Sequence, residues 1–170
     1  MTITGQPYGS GKYTLYSLER NEVVLNADSA TSRWDIGFRG TTIIINSGVS
    51  GPGKGGAFVF VGTFEELKTV PVDSVFRTDV SSANLAIPAG SNRAWYIYNV
   101  PVNLITPIPG RVLVIRTAEG QKMVKLEILN YYKGGVTPAA SATDNDKLKT
   151  QRYYTFRYLL QTDGTVNFPL

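Results

Sequence analysis

Met123-Val124-Lys125-Leu126-Glu127-Ile128 decides the fold class. In an extended chain Val124, Leu126 and Ile128 share one face while Met123, Lys125 and Glu127 share the other, the pattern of a strand buried on one side. Outward from this stretch, runs rich in β-branched and aromatic residues recur at 13–18, 22–25, 34–38, 41–45, 57–61, 94–100, 111–116, 123–132 and 152–161. Gly, Pro, Asn, Asp and Ser separate them. The reading is an all-β chain of antiparallel sheets, one domain over residues 1–170, with residues 1–12 a flexible N-terminal segment. Ala118-Glu119-Gly120-Gln121 reads as a tight turn between two strands, and Asp163-Gly164 as a second hairpin signal. Residues 63–69 alone read as helical, with Thr63 as cap and Glu66 completing a capping box. The Gly-rich stretch 48–56 and the polar stretch 137–150 read as loops.

Composition removes much chemistry. The 170 residues include no Cys and no His, which excludes cysteine nucleophiles, Ser-His-Asp triads, His or Cys zinc sites and disulfides. Charged residues make up 18% against about 25% in an average domain, while aromatics reach 11%, ten of them Tyr. The formal charge of +4 is spread singly, with Lys147, Lys149 and Arg152 the one local bunch, so no phosphate-binding stripe is expected and no nucleic-acid partner. No apolar run approaches the roughly 18–20 residues of a membrane span, and the first residues lack the character of a signal peptide.

Three motifs are weaker than their letters suggest. Gly48-Val49-Ser50-Gly51-Pro52-Gly53-Lys54 fits a nucleotide-binding loop as far as its lysine, but Gly55 stands where Ser or Thr must hold magnesium. Gly51-Pro52-Gly53-Lys54-Gly55-Gly56 fits GxGxxG. Both need a helix to begin at once, and a strand at 57–61 follows instead, so the loop reads as a connector. Asp144-Asn145-Asp146 opens like a calcium loop without its glycine and distal glutamate. Among the acids, Asp35 stands between Trp34 and Ile36. It reads as a structural carboxylate bonded to backbone or to an arginine, while a catalytic carboxylate pair of the glycosidase kind has no singled-out spacing.

Five blocks in order resemble the HmuY-like haem-binding proteins: Trp34-Asp35-Ile36-Gly37-Phe38; Asn46-Ser47-Gly48-Val49-Ser50-Gly51; Val114-Ile115-Arg116-Thr117-Ala118-Glu119-Gly120; Lys125-Leu126-Glu127-Ile128-Leu129-Asn130-Tyr131-Tyr132-Lys133-Gly134; and Tyr154-Thr155-Phe156-Arg157-Tyr158 with Gln161, Asp163 and Gly164. They run from about residue 13 to the C-terminus. The resemblance implies a hand-shaped all-β fold and a non-enzymatic lipoprotein of the bacterial outer membrane surface, or one secreted from it. Such a protein carries haem in iron acquisition and passes it to an outer-membrane receptor. Family members clamp iron between histidines, and some relatives use methionine; this chain has no histidine, and Met123 lies in a strand rather than in a ligand loop.

The stretch 70–109 falls between the matching blocks, where ligand loops diverge. It holds Arg77 and Arg93 as candidate donors to an anionic ligand, and Tyr96 and Tyr98 as an aromatic wall or iron ligand. In Trp95-Tyr96-Ile97-Tyr98 the same tyrosines also read as ordinary strand positions. The expected ligand is haem, another porphyrin or a different small molecule. The same scaffold binding a glycan or a partner protein is the alternative, and a carboxylate enzyme stands behind both.

Overall fold

Ten strands and one short α-helix carry the chain across residues 11–168, the part that the structure, a computed structural model, describes. The expected flexible segment 1–12 lies outside these residues except for Gly11 and Lys12. One sheet has the order β2 (Glu22–Val24), β1 (Thr14–Ser17), β3 (Ile36–Arg39), β4 (Thr42–Ile45). A second has the order β10 (Gln151–Leu160), β9 (Met123–Tyr132), β8 (Arg111–Arg116), β5 (Gly56–Val61). Between β5 and β8 in sequence, β6 (Tyr96–Asn99) and β7 (Leu104–Pro107) form a separate hairpin, and α1 (Asp144–Thr150) precedes β10. Every pairing is antiparallel. The all-β reading is correct.

Alternation builds the core. Ile36, Phe38, Ile43 and Ile45 from the first sheet meet Leu113, Ile115, Val124, Leu126 and Ile128 from the second in one buried cluster, so the two sheets pack face to face. Two smaller clusters cover the outer faces. Trp34 and Leu85 lie with Leu15 and Ile44 outside the first sheet, and Leu67, Val70 and Phe168 lie with Val112 and Val114 outside the second. The outer face of the second sheet is therefore covered around β8 and the start of β9, while Leu129, Thr155 and Arg157 stay exposed, which corrects the one-sided reading of β9 at Lys125. Lys125 is only 5% exposed. Its ammonium donates to the carbonyls of Phe64 (2.8 Å) and Leu67 (2.9 Å) and lies 4.4 Å from the Phe64 ring centre. Burial pushes its pKa down. A buried ammonium persists because its protons are taken up by carbonyls and its charge by ring faces.

The expected helix at 63–69 is absent, although its cap forms. Thr63 N–H donates to the Glu66 carboxylate (2.7 Å) and Glu66 N–H to Thr63 Oγ1 (3.2 Å), but the backbone runs on as turns. The capping box satisfies local amides without supplying the following turns that a helix needs. Conversely, the expected loop 137–150 ends in α1, capped by Thr143 Oγ1, which accepts from Asp146 N–H. Asp163-Gly164 makes a bend and no hairpin. Asp163 Oδ1 accepts from Thr165 N–H (2.9 Å), and the chain instead bridges Asn167 to Thr69. The 118–121 turn does join β8 to β9, closed by Gly120 N–H to Thr117 O (2.8 Å). β7 forms over Leu104–Pro107, a stretch that the pattern did not mark.

The Gly-rich stretch is a connector whose amides are already spent. Asn46 is fully buried; its amide donates to Trp34 O (2.7 Å) and Thr31 O (2.9 Å), and its Oδ1 accepts from Gly53 N–H (2.9 Å). Lys54 N–H goes to Ala118 O and Gly55 N–H to Asn46 O. Gly48 has φ +54°, and a Cβ there would meet Asp79 O at 2.0 Å, so this position requires glycine. Two buried aspartates tie the surrounding loops together. Asp35 accepts from the amides of Leu18 and Ala118 (both 2.8 Å), and Asp79 accepts from those of Ile45 and Ala86. Among the described residues no helix is long and apolar enough to cross a membrane.

Candidate ligand site

The β6–β7 hairpin is held against both sheets by side chains that bond backbone. Trp95 Nε1 donates to Thr41 O (3.2 Å), and Tyr132 Oη on β9 accepts from Ile105 N–H on β7 (2.9 Å). Behind the hairpin Trp95, Tyr131 and Tyr154 pack ring on ring with centroids 5.2–5.6 Å apart, near the spacing at which aromatic pairs attract. Tyr154 donates to Gly40 O (2.8 Å). On the far side Lys147 of α1, 4% exposed, donates to Val102 O, in the β6–β7 connection, and to Ala140 O, both at 2.8 Å. One ammonium thus ties the segment around α1 to the hairpin.

Between these parts lies a cavity of about 670 Å³, within the range of roughly 300–1,000 Å³ typical of small-molecule sites. Tyr96, Tyr98 and Tyr131 give it aromatic surface, Ile105 and Leu148 apolar surface, and Arg39 and Arg152 positive charge. Arg39 extends from the end of β3, its guanidinium carbon 4.2 Å from the Tyr13 ring centre; its Nε is buried with no hydrogen-bond partner. A buried donor without a partner costs free energy that an anionic ligand oxygen would recover. Arg152 sits where α1 passes into β10, with φ +74°. Holding a non-glycine residue there costs about 1–3 kcal/mol, a form of strain that concentrates at functional sites.

The tyrosines differ in what they can offer. Burial pushes the hydroxyl pKa values of Tyr131, Tyr132 and Tyr154 upward, so Tyr131 is a neutral wall of the cavity, with Tyr132 and Tyr154 packed against its ring. Tyr96 Oη accepts from Thr41 Oγ1 (3.2 Å) and Tyr98 donates to Asn103 Oδ1 (3.0 Å). Among the described residues no group of acids assembles that could hold a metal ion.

The four residues singled out from the sequence do not share one site. Tyr96 and Tyr98 line the large cavity; Arg77 and Arg93 line a separate one of about 290 Å³ beside β5, with Phe58, Val59 and Ala86. Tyr96 and Tyr98 lie in β6, as the strand reading of Trp95-Tyr96-Ile97-Tyr98 has it, and also line the cavity, while Trp95 is buried and Ile97 exposed. The cations of the large cavity come instead from Arg39 and Arg152, near the ends of the 34–38 and 152–161 runs. The basic bunch of Lys147, Lys149 and Arg152, read from the sequence only as the one local clustering of charge, is the signal that could have pointed to this neighbourhood. No family model matches this chain, and no curated protein matches it.

Proposed function

We propose that the protein is a non-enzymatic carrier of a flat, carboxylate-bearing aromatic molecule, haem or a related porphyrin. On this reading it works outside the cytoplasm, at the bacterial outer membrane surface or released from it, and hands its ligand to a receptor as HmuY-like proteins do. One observation carries the ligand class: the large cavity joins three tyrosine rings to two arginines, one with a buried donor lacking a partner. Rings receive a planar apolar face, and guanidinium groups receive carboxylates. The five sequence blocks support the family and the compartment.

Bound haem would supply its own iron. Tyr96 and Tyr98 line the cavity, their hydroxyls bonded to Thr41 and Asn103, and they are the residues that would reach it. Apolar burial and carboxylate contacts carry most of the affinity on this reading, so iron adds little. Titration of the purified protein with haemin and with metal-free protoporphyrin is expected to give affinities within about a hundredfold, roughly 2.7 kcal/mol, of each other. Arg39→Ala is expected to weaken both alike. A protein that stays colourless with haemin and gives no Soret change overturns haem, and leaves the same cavity to a different ligand such as a glycan.

A further inference from the structure

β5 is an edge strand of the second sheet, and its outer side is covered at one point. Ala57 and Arg77 exchange both backbone hydrogen bonds, each 2.9 Å. Because hydrogen-bonding direction alternates along an antiparallel strand, the amides and carbonyls of Val59 and Val61 also point outward. Among the described residues no backbone group outside the strands bonds to either of them. An open edge of this kind is a template for another strand, and proteins usually blunt it with Lys, Pro or a covering loop. Here the outward-pointing positions are valines: Val59 is half-buried, its side chain against the central cluster, and Val61 is 70% exposed.

Directly beside this edge is the smaller cavity, with Phe58, Ala86 and Pro88 as an apolar floor and Arg77 and Arg93 at its rim. Among the described residues no hydrogen bond or ion pair engages either guanidinium, although the acids elsewhere on the surface are paired freely. At about 290 Å³ the space falls at the lower limit of cofactor-sized pockets and suits one side chain. Two unpaired arginines over an apolar floor, next to unpaired strand edges, are complementary to an extended chain with an acidic residue.

We propose that the outer edge of β5 takes up an extended acidic segment of a partner protein by strand addition, Val59 and Val61 pairing with its backbone and Arg77 with Arg93 holding one carboxylate. This site is independent of the large cavity and of what that cavity binds.

The probe is the capped peptide Thr-Val-Glu-Val-Thr, titrated into ¹⁵N-labelled protein, alongside its Gln-for-Glu analogue, an analogue methylated on its backbone amides, and acetate. Strand addition predicts saturable shifts and slowed exchange at the Val59 and Val61 amides. Affinity should fall at least about tenfold for the Gln analogue, for the methylated analogue, and for the Arg77→Gln/Arg93→Gln protein. Both arginines are exposed, so the double variant keeps the parent's melting temperature and its haemin titration. The proposal is overturned if Val59 and Val61 show no saturable shift, if the methylated peptide binds as well as the parent, or if acetate alone reproduces the response.

Discussion

Removing the Asp35 carboxylate strips the acceptor from two buried amides at once, that of Leu18 after β1 and that of Ala118 in the β8–β9 turn. Each buried amide left without a partner costs about 1–3 kcal/mol. Asp35→Ala is therefore expected to lower unfolding free energy by roughly 2–6 kcal/mol on that principle, while haemin titration of the folded protein is unchanged; denaturant midpoints beside binding curves check it. Arg152 gives the opposite separation. Glycine accepts φ +74° without strain, so Arg152→Gly is expected to hold or raise stability, by up to about 1 kcal/mol, while weakening anionic porphyrins. A binding loss that tracks a stability loss would make Arg152 structural. The role of Asp35 was legible in the sequence because a lone acid between apolar residues must be bonded. Lys125 was not, since its alternation with Val124 and Leu126 marks a solvent face, and the residues that cover it, Phe64, Leu67 and Phe168, come from distant turns.

At the scale of elements, pairing followed the pattern and local signals did not always. The period-two runs placed nine of the strands because side-chain alternation is itself the geometry of a strand. The helical signal at 63–69 proved to be a capping box on a turn, and α1 arose in a stretch whose composition reads as loop. Both depend on what packs above them, which local sequence does not carry. Lys147 is the clearest case, since it is drawn into α1 by carbonyls 45 and 7 residues away. Lys147→Met keeps the length of the side chain but leaves Val102 O and Ala140 O without their donor. Faster amide exchange over 136–150 and weaker porphyrin binding are expected, with little change in β8 and β9. Uniform loss of protection across both sheets would contradict a local latch.

For the molecule as a whole, buried phenols set a pH limit. Tyr131 and Tyr154 hold their protons in the folded state above the pKa near 10 of an unfolded chain. The folded state then binds more protons than the unfolded one above that pH, so stability falls as pH rises. Their contribution is complete below pH about 10 and is lost above it, at up to about 1.4 kcal/mol per pH unit for each phenol. Urea midpoints between pH 8 and 11, followed with tyrosinate absorbance, are expected to decline, and Tyr131→Phe is expected to decline less steeply. The candidate site was legible to the extent that Tyr96 and Tyr98 line it. Its arginines were not, because Arg39 and Arg152 are 113 positions apart and meet across a cavity that exists only once both sheets have closed.

The last described strand and the segment after it complete contacts begun by earlier strands and turns. Tyr158 donates to Leu18 O, Tyr154 to Gly40 O, and Phe168 packs with Val112 and Val114. A ribosome or a secretion pore delivers the polypeptide from its N-terminus onward, so until β10 has emerged the central cluster lacks Tyr154, Phe156 and Tyr158 and the buried rings of the hairpin lack their backing. Such an arrangement postpones closure until β10 has been delivered, keeping the earlier strands threadable and dependent meanwhile on whatever shields their apolar faces.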